Sequence, residues 1–115
     1  MNEPPSSLVE RSDASGVSTL TLNRPEALNA LSPLLFEELQ SHFEQIAKTS
    51  DEIGVVVLTG KGRSFSAGND LNAIERGERA SSPHQQAKTL DLIEAIPQPV
   101  VASVNGHCYT GALEL

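Results

Sequence analysis

The run Gly60-Lys61-Gly62-Arg63-Ser64-Phe65-Ser66-Ala67-Gly68-Asn69-Asp70 is the stretch of this chain best equipped for chemistry. Ala67 and Gly68 let a ligand approach the main chain. Asn69 and Asp70 are good helix-cap types, so backbone N–H groups at this turn can point outward at developing negative charge. An anion or oxyanion site is the natural use of such a turn. Two better-known glycine loops fail on spacing. A dinucleotide fingerprint starting at Gly60 needs glycine where Phe65 stands, and a P-loop needs Gly-Lys followed by Ser or Thr, whereas Lys61 is followed by Gly62. Most glycine-rich connections are simply turns, so the loop by itself leaves a plain connection open.

Pro99-Val100-Val101-Ala102-Ser103-Val104 reads as a second buried-strand run. It leads into Asn105-Gly106-His107-Cys108-Tyr109-Thr110-Gly111-Ala112-Leu113-Glu114-Leu115, again a small-residue loop entering a helix. Glu114 lies three residues after Gly111, close to one helical turn, so its carboxylate can reach a group held at the Gly111 N–H. An arbitrary helical Glu is usually a solvated surface charge. Here Leu113 and Leu115 flank it, and burial would make its retention costly unless it works. His107 and Cys108 form no obvious catalytic set, because adjacent residues need not face each other.

Phe65-Ser66-Ala67-Gly68-Asn69-Asp70-Leu71, with Val104-Asn105-Gly106 and Gly111-Ala112-Leu113-Glu114-Leu115, resembles the enoyl-CoA hydratase/isomerase (crotonase) family. Asn23-Arg24-Pro25-Glu26-Ala27-Leu28-Asn29-Ala30-Leu31 is similar to that family's segment after its first hairpin, so the resemblance runs from about Val17 to Leu115. It implies an α/β crotonase-like (ClpP/crotonase) spiral of β-β-α units acting on an acyl-CoA thioester. By resemblance, the main-chain N–H groups of Ala67 and Gly111 form the oxyanion hole and Glu114 is the general base. The substrate-binding set is Ala27, Leu28, Ala67, Gly68, Asn69, Asp70 and Gly111. Coenzyme A belongs to the substrate, and neither a separate cofactor nor a metal is implied.

The family's hydratases share acid and base work between two glutamates, and the position of the second lies beyond Leu115. The expectation is therefore a lead-in over residues 1–7 and the N-terminal part of a crotonase-like domain over 8–115, inactive as a hydratase and marginally stable alone. A full domain implies a homo-oligomer, a trimer or hexamer. Asn69 stands where many hydratases carry alanine and some isomerases carry asparagine. Double-bond isomerisation, which can use a single carboxylate, is the alternative, and a non-catalytic acyl-CoA-binding or assembly module is the rival class.

Composition bounds the rest. A chain of 115 residues is one domain at most, and its 3% aromatic content requires an aliphatic core. A net charge of −7 argues against a nucleic-acid groove, which needs clustered Lys and Arg. The lone Cys108 cannot form an intrachain disulfide, no apolar run approaches a bilayer-spanning length, and Met1 to Glu10 carry acid and proline rather than signal character. These features point to a cytoplasmic protein without a membrane partner.

The elements that must position the motifs follow from periodicity. Leu8–Ser12 and Val17–Leu22 read as strands around an Asp13-Ala14-Ser15-Gly16 hairpin loop. Ser32-Pro33 is a helix start, with Leu35, Leu39, Phe43 and Ile46 on one face; His42 is a partly exposed helix residue rather than a ligand. Ile53–Thr59 is apolar without alternation, as expected of a parallel strand buried on both faces. Leu71–Glu78 reads as short helix or irregular chain in a mobile region. Pro83–Ala95 reads as a helix capped by Ser82, with Ala87, Leu90, Ile93 and Ile96 facing inward, and Pro97 and Pro99 end it before the strand at Val100.

Overall fold

The computed structural model describes residues 7–66, 68, 77 and 84–108. Strand β1 (Val9–Ala14) and strand β2 (Val17–Leu22) pair antiparallel, with Val9 opposite Leu22 and Ala14 opposite Val17. Only Ser15 and Gly16 lie in the turn, at φ 52° and 80°. The loop is thus two residues shorter than its composition suggested. Positive φ at both central positions gives a turn whose twist matches the strands, so the ladder runs on through Asp13 and Ala14.

Helix α1 (Pro33–Ala47) starts as its sequence predicts: the Ser32 hydroxyl accepts from the Leu35 amide at 3.1 Å, and proline occupies the first turn. Leu35, Leu39, Phe43 and Ile46 are fully buried, joined by Phe36. They pack against Leu20 and Leu22 of β2 and against Val56 and Leu58 of strand β3 (Val55–Gly60). His42 is partly exposed, as expected, with Nε2 3.2 Å from the Val9 carbonyl.

The main sheet has the order β1-β2-β3-β5, with β5 spanning Val100–Ser103 and both β2/β3 and β3/β5 parallel. Burial on β3 alternates: Val56, Leu58 and Gly60 are covered, while Val55, Val57 and Thr59 are half-covered. The expectation of a strand buried on both faces is therefore corrected. Strand β5 is also not the buried run anticipated. Val101 is 52% exposed, because β5 lies at the sheet's edge among the described strands and turns this side chain away from α1.

Helix α2 (Gln85–Ala95) starts at His84, which makes no side-chain cap bond; the anticipated Ser82 cap and Pro83 start, with Leu71–Arg76 and Glu78, lie outside the described residues. Its inward stripe is Gln85, Thr89, Leu92, Ile93 and Ile96, whereas Ala87 is exposed and Leu90 half-exposed. Hydropathy missed the first two because they are polar. They are buried with hydrogen-bond partners: Gln85 Nε2 donates to the Pro33 carbonyl at 3.1 Å, and Thr89 Oγ1 donates to the Gln85 carbonyl at 2.9 Å. Beyond Ile96, the Gln98 side chain donates to the Ile46 carbonyl at 2.8 Å and ties the approach to β5 onto the end of α1.

Candidate active site

The central loop leaves β3 at Gly60 and passes through Lys61, Gly62 and Arg63, all exposed, into the short strand β4 (Ser64–Ser66). Apolar burial anchors it only at its far end, through Phe65. Polar bonds hold the rest. Asn29 is fully buried at φ 53°; its Nδ2 donates to the carbonyls of Lys61 at 3.0 Å and Ser64 at 2.8 Å, and its Oδ1 accepts from the Arg24 amide at 2.7 Å. Asn105 Nδ2 donates to the carbonyls of Gly60 and Gly62, each at 2.8 Å, while its Oδ1 lies 3.3 Å from both the Gly60 amide and the Thr59 hydroxyl.

Gly68 is hooked onto the same region. Its amide donates to Ser66 Oγ at 3.2 Å, that hydroxyl donates to the Asn29 carbonyl at 2.7 Å, and the Gly68 carbonyl accepts from the Leu31 amide at 2.6 Å. The two residues that flank Ala67 are therefore both bonded to the Asn29–Leu31 segment. Ala27 and Leu28 belong to the preceding 3-10 turn (Pro25–Ala27) and its left-handed exit; their amides donate to the carbonyls of Arg24 and Pro25. Of the predicted site residues, Ala27, Leu28 and Gly68 thus share one corner of the molecule, while Ala67, Asn69, Asp70, Gly111 and Glu114 lie outside the described residues.

The second loop arrives at the same corner. Strand β6 (His107–Cys108) pairs parallel with β4, Ser64 opposite His107 and Ser66 opposite Cys108, in a separate two-stranded sheet. The C-terminal ends of the two strands stand side by side. Ser66 is the residue before Ala67, and Cys108 is three residues before Gly111. Two of the nearby cations have partners: Arg24 donates to the Ala30 carbonyl at 2.9 Å, and Lys61 lies 3.5 Å from Glu10. No group of three His, Cys, Asp or Glu able to hold a metal occurs among the described residues.

A family model for enoyl-CoA hydratase/isomerase matches residues 12–115. The chain belongs to the enoyl-CoA hydratase/isomerase family. It is 39% identical over 103 residues to the putative enoyl-CoA hydratase/isomerase YngF of Bacillus subtilis, covering 86% of this chain and 39% of that protein. It is 38% identical over 100 residues to the 2,3-dehydroadipyl-CoA hydratase of Escherichia coli, covering 86% of this chain and 39% of that one. The crystal structure of an enoyl-CoA hydratase/isomerase from Xanthobacter autotrophicus superposes with a TM-score of 0.82 at 32% identity, over 94% of this chain and 42% of that one. The chain thus has the crotonase fold and spans about two fifths of the length of these relatives. Asn29 and Asn105 lie inside the family motifs of the sequence, but only the structure shows them as the groups that tie those motifs together. Asparagine between strand and helix signals was the available clue.

Proposed function

We propose that the protein carrying this chain adds water to a 2-enoyl-CoA thioester. The observation that carries this reading is the parallel pairing of Ser66 with Cys108, which brings the strands leading to Ala67 and Gly111 to one place. The thioester oxygen gains negative charge when water adds to the β-carbon, and two fixed main-chain donors, the N–H groups of Ala67 and Gly111, would stabilise that enolate. In comparable sites the loss of one such donor costs about 3–4 kcal/mol of barrier. Glu114 takes the proton from the attacking water, and a proton delivered to the α-carbon completes the addition. Ala27, Leu28, Gly68, Asn69 and Asp70 line the approach of the acyl-CoA.

A second reading, double-bond isomerisation, is favoured by Asn69 and needs only one carboxylate to move a proton between carbons. The test uses the complete polypeptide that carries this sequence. It should hydrate crotonyl-CoA with loss of the enoyl absorbance, and Glu114→Gln should remove turnover while sparing binding. Turnover by Glu114→Gln at the parent rate would overturn the assignment. Turnover of 3-enoyl-CoA without hydration would establish the isomerase, and binding without either reaction would establish an acyl-CoA-binding module.

A further inference from the structure

We infer that Asn29 and Asn105 act together as positioning residues for the acyl-CoA site, clamping the Gly60–Ser66 segment from two sides. This inference rests on the assignment of an oxyanion donor to Ala67. The clamp solves a particular problem. Lys61, Gly62 and Arg63 are exposed, so apolar burial does little to fix them, yet a donor that follows them has to be held within a fraction of an ångström.

Two side-chain amides take up the carbonyls of Gly60, Lys61, Gly62 and Ser64. Asn29 uses both donors and its acceptor in these bonds, and its main chain adds two more: its amide donates to the Arg24 carbonyl at 2.8 Å, and its carbonyl receives Ser66 Oγ. A fully satisfied buried amide of this kind admits one arrangement, because every displacement leaves a polar group without a partner.

The two residues also come from different motifs. Asn29 follows the turn that carries Ala27 and Leu28. Asn105 precedes β6, the strand that leads to Gly111. The Gly60–Ser66 segment is therefore the shared anchor through which the position of one loop sets the position of the other. One residue before that segment, Thr59 donates to the Ser103 carbonyl at 2.9 Å and joins the ends of β3 and β5.

The conservative variants Asn29→Asp and Asn105→Asp keep the acceptor and remove the donors. In the complete polypeptide, both should lower kcat for crotonyl-CoA by about 10- to 100-fold, the scale of a misplaced donor, with KM changed less than about threefold. Ile46→Val, which loosens the core away from the loop, should leave kcat unchanged and so serves as the control for general destabilisation. Amide hydrogen exchange provides a readout independent of turnover: Gly68 and Leu31 should exchange at least about tenfold faster in the variants, while Leu20 in the hairpin stays protected. If Asn29→Asp does not fold, the half-buried Asn105→Asp carries the test alone.

Parent-like kcat together with parent-like exchange at Gly68 and Leu31 would overturn the inference, as would a loss of kcat matched by Ile46→Val. A parent protein with no turnover would count against the proposed reaction, and the exchange measurement would then still decide whether the clamp exists.

Discussion

The carbonyl of Gly68 accepts a 2.6 Å hydrogen bond from the amide of Leu31, so the segment after the first hairpin is fastened to the far side of the loop that contains Ala67. The near side is fastened through Ser66 Oγ and the Asn29 carbonyl. The oxyanion donor proposed at Ala67 falls in sequence between these two anchors, and preorganised donors stabilise developing charge without reorganising as a reaction proceeds.

Ser66→Ala tests the near-side anchor. It removes the donor to the Asn29 carbonyl and the acceptor for the Gly68 amide in a fully buried position. Two buried polar groups lose a partner, so stability should fall by about 1–3 kcal/mol in urea unfolding. A change within about 0.5 kcal/mol, the scale of an ordinary surface substitution, would show that the hydroxyl is not part of the anchor.

Gly106→Ala should be more damaging than an exposed loop substitution normally is. Gly106 has φ 74°, and a Cβ built there would run into the Arg63 carbonyl oxygen. Backbone rather than a flexible side chain has to yield, which would part β6 from β4. We expect a loss of at least about 2 kcal/mol and faster amide exchange at Ser66, read by urea unfolding and by NMR. Parent-like values in both measurements would mean that the two strands tolerate separation.

Ser32→Ala removes the side-chain acceptor for the Leu35 amide at the start of α1. Ser32 is buried, so water does not readily replace it. The expected cost is about 1 kcal/mol in equilibrium unfolding, and an unchanged midpoint would show that the helix start is held by Pro33 and packing alone.

The hairpin carries a pH-dependent contribution. The Asp13 carboxylate accepts from Arg11 Nε at 3.0 Å and Nη2 at 2.9 Å and from Ser18 Oγ at 2.7 Å, and these bonds, the Arg11 pair foremost, hold its pKa below the ordinary 3.8. A lowered folded-state pKa means that the contribution is present above pH 3.8 and is lost as pH falls through the lower folded value. Asp13 is 41% exposed, so solvent screening keeps the effect small, under about 1 kcal/mol. Asp13→Asn should be less stable than the parent at neutral pH, and the gap should narrow as pH is lowered below 3.8. A gap independent of pH would refute the charge-based account.

Much of the fold was legible in the sequence where a local rule coincided with burial. Ser32-Pro33 followed by Leu35, Leu39, Phe43 and Ile46 specifies both the start and the inward face of α1, because cap chemistry and a 3.6-residue period are properties of neighbouring residues. The hairpin was equally clear, but its exact turn was not: which residues join the ladder depends on the φ angles of Ser15 and Gly16. Gln85 and Thr89 on the inward face of α2 could not be read from hydropathy: the Thr89 hydroxyl is satisfied within its own helix by the Gln85 carbonyl, and the Gln85 side chain by the Pro33 carbonyl that the fold brings to it.

The same division runs through the site. Residue types and order alone determine that this chain carries the Asn23–Leu31, Phe65–Leu71 and Val104–Asn105–Gly106 motifs, and hence its family. Only the tertiary structure decides that Asn29 and Asn105 both close on the Gly60–Ser64 carbonyls and that Ser66 stands opposite Cys108. The physical reason is range. Caps and periodicity act over one or two turns of chain, whereas a hydrogen bond between residues more than thirty apart exists only after β2, β3 and β5 have aligned and brought those residues within 3 Å.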